Sequence, residues 1–230
     1  MKSIGLIGGL TYVSTIEYYR YINELANEKL GGNETVEIIM YSVNFGEIKV
    51  LTEAGDWNKI SDIICKVAQT IEQGGASCLL IGANTMHKIA DEVQAAIKIP
   101  VIHIAEAVAK VILKNGLKKV GLLGTRYTMQ LGFYTERLAK YGIETIIPEQ
   151  EDVEYINYTI YNEFSKNIFT AEAKTNYLKI ISKLKERGAE GIIGGCTEIP
   201  ILIKPGDCAI PIFDTAKIHS EAGVEYVLGS

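Results

Sequence analysis

The sequence is poor in the residues that build metal sites and covalent frameworks. It has three histidines and four cysteines among 230 residues, and neither set is grouped. His87, His103 and His219 stand far apart, and Cys65, Cys78, Cys196 and Cys208 form no C-x-x-C pair. That spacing offers no zinc site and no disulfide framework. No apolar run approaches the roughly 18 residues that mark a membrane span. Neither charge sign dominates: 23 basic and 28 acidic residues are interspersed, for a net charge of −5. This balance excludes a nucleic-acid groove and a polybasic membrane patch. Five prolines and 22 glycines without a period exclude Pro-rich and collagen-like architectures. The opening MKSIGLIGG ends its short apolar burst in glycines, unlike a signal peptide. A cytoplasmic chain with free thiols is expected.

Hydrophobic residues make up 47% of the chain and charged residues 22%, so it folds rather than staying disordered. At 25.3 kDa it has material for one large or two small domains. Ile4 to Gly9 reads as a buried parallel strand ending in a tight turn. Thr11 to Thr15 is polar, and Ile16, Tyr19, Ile22 and Ala26 follow at helical spacing. Val36 to Val43 is rich in β-formers, Ile60 to Gln73 is an amphipathic helix, Leu79 to Gly82 a short buried strand, and Asn84 to Ala96 a second helix. This alternation specifies an α/β fold with a mostly parallel sheet flanked by helices.

The order then repeats. Ile4-Gly-Leu-Ile-Gly-Gly9 matches Val120-Gly-Leu-Leu-Gly-Thr125 at an offset of 116 residues. The segment from Gly74 to Thr85 matches Arg187 to Glu198 at 113, and Ile99 to Ile104 matches Ile210 to Thr215 at 111. Three matches in one order, with a slowly shrinking offset, imply a duplicated unit. Ligands of open α/β sheets bind outside the carboxyl ends of the strands. The equivalent tips are Gly8-Gly9 with Thr11, then Ala83-Asn84-Thr85, Gly124-Thr125, and Cys196-Thr197-Glu198. Small hydroxyl and amide side chains at helix starts suit a carboxylate or another small anion. Neither a Walker loop nor a G-x-G-x-x-G fingerprint is present.

Cys196 follows Gly194-Gly195 at a strand end and precedes a helix, a setting expected to lower its pKa. Glu198 is placed to hydrogen-bond a neighbouring group and Thr197 to bind a substrate carboxylate. The repeat puts Ala83 at the position equivalent to Cys196. Asn84 and Thr85 beside it suit a carboxylate. His87, one turn on, reads equally as a structural hydrogen bonder and as a base. Cys65, Cys78 and Cys208 read as packing or turn residues.

Ile4 to Gly9 with Ser14-Thr15, Asn84-Thr85-Met86-His87, Gly121 to Thr128, Gly195-Cys-Thr-Glu198 and Pro211 to Thr215 together resemble the aspartate/glutamate racemase family. The resemblance covers nearly the whole chain. It implies two pseudosymmetric α/β domains, with the active site in the cleft between them. On that analogy residues 1–100 with 211–230 form the first domain and 101–210 the second, the last strand and helix returning to the first. It also implies a homodimer, an amino-acid or dicarboxylate substrate, and racemisation without a cofactor by two cysteines on opposite sides of the substrate Cα. Carried over by position, Cys196 is one catalytic thiol. Asn84, Thr85, Thr125 and Thr197 bind the carboxylate, and Thr11 lines the cleft.

The chain departs from the family pattern where its other cysteine belongs, at Ala83, whose methyl exchanges no proton. Impaired racemisation is therefore expected, unless water or His87 serves that side. Asn44 stands where relatives have aspartate, and no arginine follows it; Lys166 and Arg126 are the substitute cations for a side-chain carboxylate. Three readings stay open: an amino-acid racemase, a one-thiol decarboxylase or isomerase of small dicarboxylates, and a non-catalytic small-acid binding protein.

Overall fold

The computed structural model describes residues 2–229. Its elements alternate along the chain. In the first half, β1 (Ile4–Gly8) leads to α1 (Tyr12–Leu30), β2 (Ile38–Ser42), α2 (Phe45–Ala54), α3 (Trp57–Gln73) and β3 (Cys78–Ile81). A 3₁₀ turn (Thr85–Ile89), α4 (Ala90–Ala96) and α5 (Ile104–Lys114) follow. The second half has β4 (Lys119–Gly124), α6 (Arg126–Gln130), α7 (Phe133–Ala139), β5 (Glu144–Ile146), α8 (Gln150–Asn162) and α9 (Ala171–Glu186). It closes with β6 (Gly191–Gly195), α10 (Ile199–Leu202), β7 (Ile212–Asp214) and α11 (Thr215–Leu228).

Two parallel sheets result, in the orders β2-β1-β3 and β5-β4-β6-β7. In each, the first strand of the half lies between the second and the third, the same winding twice. The repeat extends to single hydrogen bonds. Leu79 N–H donates to Pro100 C=O at 2.9 Å, and Ile192 N–H donates to Pro211 C=O at 2.8 Å. In the second half this pairing grows into β7, whereas in the first it stays an isolated bridge between Leu79 and Val101. The Val101 N–H, which faces away from β3, is taken by Gln94 Oε1 at 2.8 Å.

The chain divides into two compact units, one running to His103 and resuming at His219, the other Ile104–Ile218. Each has its own core. Ile7, Ile60, Ile64, Ile71, Leu79 and Ile81 belong to the first, and Leu122, Leu123, Ile156, Tyr177, Ile192 and Ile193 to the second. The boundaries depart from the expected 100/101 and 210/211. The larger departure, at the second crossing, has a clear reason. β7 was expected to return to the first domain, but it pairs with β6 from Ile192↔Ile212 to Gly194↔Asp214, and so completes the second sheet. Only the part of α11 from His219 onward belongs to the first unit.

The helix expected over Asn84 to Ala96 is broken: a 3₁₀ turn holds the first part and α4 the rest. Helix α2 starts at the segment discussed above for Asn44. The Asn44 side chain is its N-cap, accepting from Gly46 N–H at 3.0 Å.

Candidate active site

In the first unit the tip of β1 is tightly determined. Gly9 has φ +75°, a left-handed conformation that favours glycine. Its N–H donates to Thr15 Oγ1 at 2.8 Å, and Thr15 Oγ1 in turn donates to Thr11 C=O at 2.8 Å. Thr11 is the N-cap of α1, its hydroxyl accepting from Ser14 N–H at 3.1 Å. Ser14 Oγ donates to Gly82 C=O at 2.8 Å and so ties α1 to the end of β3. There Asn84, Thr85 and His87 are buried, while Ala83 keeps part of its surface open.

At this tip the Nε2 of His87 is buried. Its Nδ1 lies 2.9 Å from Ala83 C=O, and because a carbonyl only accepts, Nδ1–H is the donor. The ring then runs inward, to centroid distances of 4.8 Å from His103 and 5.3 Å from His219. The three histidines, far apart in sequence, thus meet in one buried cluster. His219 Nε2–H donates to Ile102 C=O at 2.6 Å and its Nδ1 accepts from Tyr18 O–H at 2.8 Å. Burial, with nearby His87 adding to it, depresses the His219 pKa to about 3, so the ring is neutral and this tautomer is fixed. Nothing in the sequence spacing signals the cluster, since Tyr18 and His219 are 201 residues apart. Among the described residues no group of three or more His, Cys, Asp or Glu is arranged to hold a metal ion.

In the second unit, Thr125 caps α6 as Thr11 caps α1, its hydroxyl accepting from Thr128 N–H at 3.2 Å. The glycine pair before Cys196 has a steric cause. A Cβ on Gly195 would stand 2.8 Å from Leu123 C=O, and one on Gly194 would press on Pro200 at 3.2 Å. Thr215 Oγ1 donates to Gly194 C=O at 2.8 Å, securing the same tip from below. Cys196, Thr197 and Glu198 then follow β6 directly. Cys196 retains partial exposure, while Thr197 and Glu198 are buried. One carboxylate oxygen, Glu198 Oε2, accepts both the thiol of Cys196 at 3.0 Å and the hydroxyl of Thr197 at 2.8 Å.

This geometry reverses the expected sign at the thiol. Close packing around the sulfur, then the charge and hydrogen bond of Glu198, push the Cys196 pKa well above the ordinary thiol range. The Glu198 backbone N–H pulls the other way and is outweighed. The expected helix effect is small because α10 has only four residues. At neutral pH Cys196 is therefore a thiol that donates, not a resting thiolate. If Glu198 sets this state, Glu198→Gln removes its charge and brings the thiol pKa down. Alkylation of Cys196 by iodoacetamide, followed against pH, is expected to rise at lower pH in the variant than in the parent; an unmoved profile would contradict this.

Of the two substitute cations, Lys166 is exposed at the end of a 3₁₀ turn, and Arg126 is exposed with its guanidinium 5.4 Å from the Tyr127 ring centroid. Beneath Cys196 lies a residue the sequence reading did not single out. Tyr177 is buried, hydrogen-bonds Thr159 Oγ1 at 2.8 Å, and has its pKa raised well above the usual phenol range by burial.

The family model for Asp/Glu/hydantoin racemases matches residues 7–223, a span that includes every tip described above. The chain belongs to the Asp/Glu/hydantoin racemase family. Among solved structures, this racemase-family chain is similar to a Yersinia pestis protein described as a candidate Asp/Glu racemase. The two share 44% identity and a TM-score of 0.91, over 99% of this chain and 100% of that one. It is likewise similar to an aspartate racemase homologue from Pyrococcus horikoshii, with 37% identity and a TM-score of 0.86 over 99% and 100% of the two chains. The broad specificity amino-acid racemase RacX of Bacillus subtilis is 27% identical over 175 residues, 75% of this chain and 74% of that protein. No described helix of this family member is long and apolar enough to cross a membrane.

Proposed function

We propose that the chain acts on a small amino acid, of the aspartate or glutamate class, as a cofactor-independent racemase in which Cys196 moves the proton at Cα. The observation that carries this reading is the Cys196–Glu198 pair: a partly exposed cysteine at a strand tip whose thiol, kept protonated first by burial and then by Glu198, donates to that buried carboxylate. Racemisation needs an acid/base on each side of Cα, since one group removes the proton and another replaces it from the opposite side. The family pattern assigns those roles to positions 83 and 196. Here position 196 offers a thiol and position 83 a methyl. His87 gives its Nδ1–H to the Ala83 carbonyl, and Nε2, the nitrogen that keeps the lone pair, is buried, so water is the proton source proposed for that side.

The raised thiol pKa sorts the two directions. As an acid, Cys196 is ready at neutral pH. As a base it must first lose its proton, and below its pKa the thiolate fraction rises tenfold per pH unit. Hydroxyl and amide groups of Thr11, Asn84, Thr85, Thr125 and Thr197 would hold the α-carboxylate and stabilise the carbanion-like state. Ala83 also favours a second reading. Decarboxylation of a dicarboxylate needs only one protonation of a carbanion, and a single thiol suffices for it.

An amino-acid panel read by chiral chromatography tests the proposal. Slow inversion of aspartate or glutamate, rising with pH across neutrality, is expected. Loss of carbon dioxide without inversion would replace the racemase reading by the decarboxylase, and ligand-induced stabilisation without turnover would replace it by a binding protein.

A further inference from the structure

All three histidines of the chain fall in the first unit, and the second has none. They come from separate stretches: the 3₁₀ turn after β3, the residue before α5, and α11. All are buried, and the His87 ring meets the other two edge to face. The arrangement suits neutral rings. His219 Nε2–H donates to Ile102 C=O while Nδ1 accepts from Tyr18 O–H, so a proton added at Nδ1 meets the hydroxyl hydrogen it now accepts. The added charge would have no exposure to water and a second imidazole 5.3 Å away.

The groups around His219 do not offset that charge. Tyr18 faces it from α1 and His87 from the 3₁₀ turn, with His103 beside His87. A phenol and two imidazoles include no anion at neutral pH. From β3 the contact with α11 is apolar, Leu80 against Gly223, where a Cβ would stand 2.9 Å from the leucine. On α11 itself Lys217 and Glu221, two residues to either side, point away from the His219 face. Glu225 is exposed and turned to Lys29 of α1 at 3.5 Å.

The cluster is also tied to the tip of β3. His87 fastens two successive peptides there: its ring gives Nδ1–H to Ala83 C=O at 2.9 Å, and its backbone N–H donates to Asn84 C=O at 3.0 Å. We propose that the three imidazoles form an acid-sensitive latch on this tip: a proton entering the cluster frees α11 from His219 onward and loosens Ala83, Asn84 and Thr85 together. That the latch regulates a substrate-binding tip rests on the functional reading; the latch itself does not.

The direction with pH follows from the burial of His219. With the latch open its imidazole has the ordinary value of 6.5, and with the latch closed about 3. The closed form binds fewer protons, so the latch is fully held above pH 6.5. Below that, opening rises about tenfold per pH unit, down to about pH 3. Between pH 7 and 5 most carboxylates stay charged, so this interval reads the histidines.

Hydrogen exchange of the unmutated protein at pH 7 and pH 5, corrected for intrinsic rates, tests the proposal. Protection over residues 83–89 and 219–228 is expected to fall about 25-fold, while β6, in the unit without histidine, keeps its protection. His219→Gln, whose amide retains a donor for Ile102 and takes up no proton, is expected to abolish the fall. A readout free of mutation comes from nitrogen-15 spectra of labelled histidine: His219 stays neutral from pH 8 to 5, with its proton on Nε2. A His219 signal that titrates near 6.5, equal protection at both pH values, an equal fall in β6, or the same fall in His219→Gln would each overturn the latch. None of these results would touch the racemase reading, since neither readout involves substrate.

Discussion

Replacing Cys196 by alanine is expected to lower proton exchange at the substrate Cα by about 10²–10⁴-fold, the usual contribution of a positioned acid/base. Deuterium uptake followed by mass spectrometry measures it. The loss belongs to chemistry rather than folding. Cys196 is only partly buried, and its backbone is fixed by neighbours the substitution leaves alone: the Ile199 N–H bond to Cys196 C=O at 3.0 Å and the packing of Gly194 and Gly195. Thermal unfolding should accordingly stay close to that of the parent. Glu198 would then be a buried carboxylate that keeps the Thr197 hydroxyl but loses the thiol. A variant that retains full exchange would remove Cys196 from the reaction.

The reverse substitution has the larger constructive effect. Ala83→Cys places a thiol at the β3 tip, where the parent has none, and is expected to raise the rate of inversion by about 10²–10⁴-fold, by the same reasoning. The tip is prepared for it. Ala83 N–H donates to Ile81 C=O at 2.8 Å, its carbonyl accepts from His87 Nδ1–H, and the residue is only partly buried against the first core, so the backbone is already held where a thiol is to be added. Chiral chromatography of aspartate and glutamate gives the answer. No gain with either amino acid, in a variant that folds like the parent, would argue that the missing thiol is not what limits the reaction.

Much of this architecture is legible in residue order because its causes are local or periodic. Buried runs such as Ile4 to Gly8, the helical spacing of Ile60 to Ile71 and the three shrinking offsets all survive translation into strands, helices and repeated sheets. The candidate tips are legible for the same reason, since glycines that permit close strand approach precede them. Three features are not. The direction of the Cys196 shift depends on a carboxylate turning back within 3.0 Å of the thiol, a side-chain choice that no spacing encodes. The meeting of His87, His103 and His219 depends on the chain returning after the whole second unit. The placement of β7 depends on pairing at Ile192, where a strand competes with an expected crossover. In each case the deciding contact is long-range, or set by a rotamer.

The central claim is that the protein supplies a proton carrier on one side of the substrate only. The direct test is to incubate the two enantiomers of aspartate and of glutamate separately in deuterated buffer and follow label at Cα alongside inversion. One enantiomer is expected to take up deuterium with its configuration retained, faster than it inverts, while its mirror image lags. Equal uptake by both enantiomers, at the rate of inversion, would contradict it.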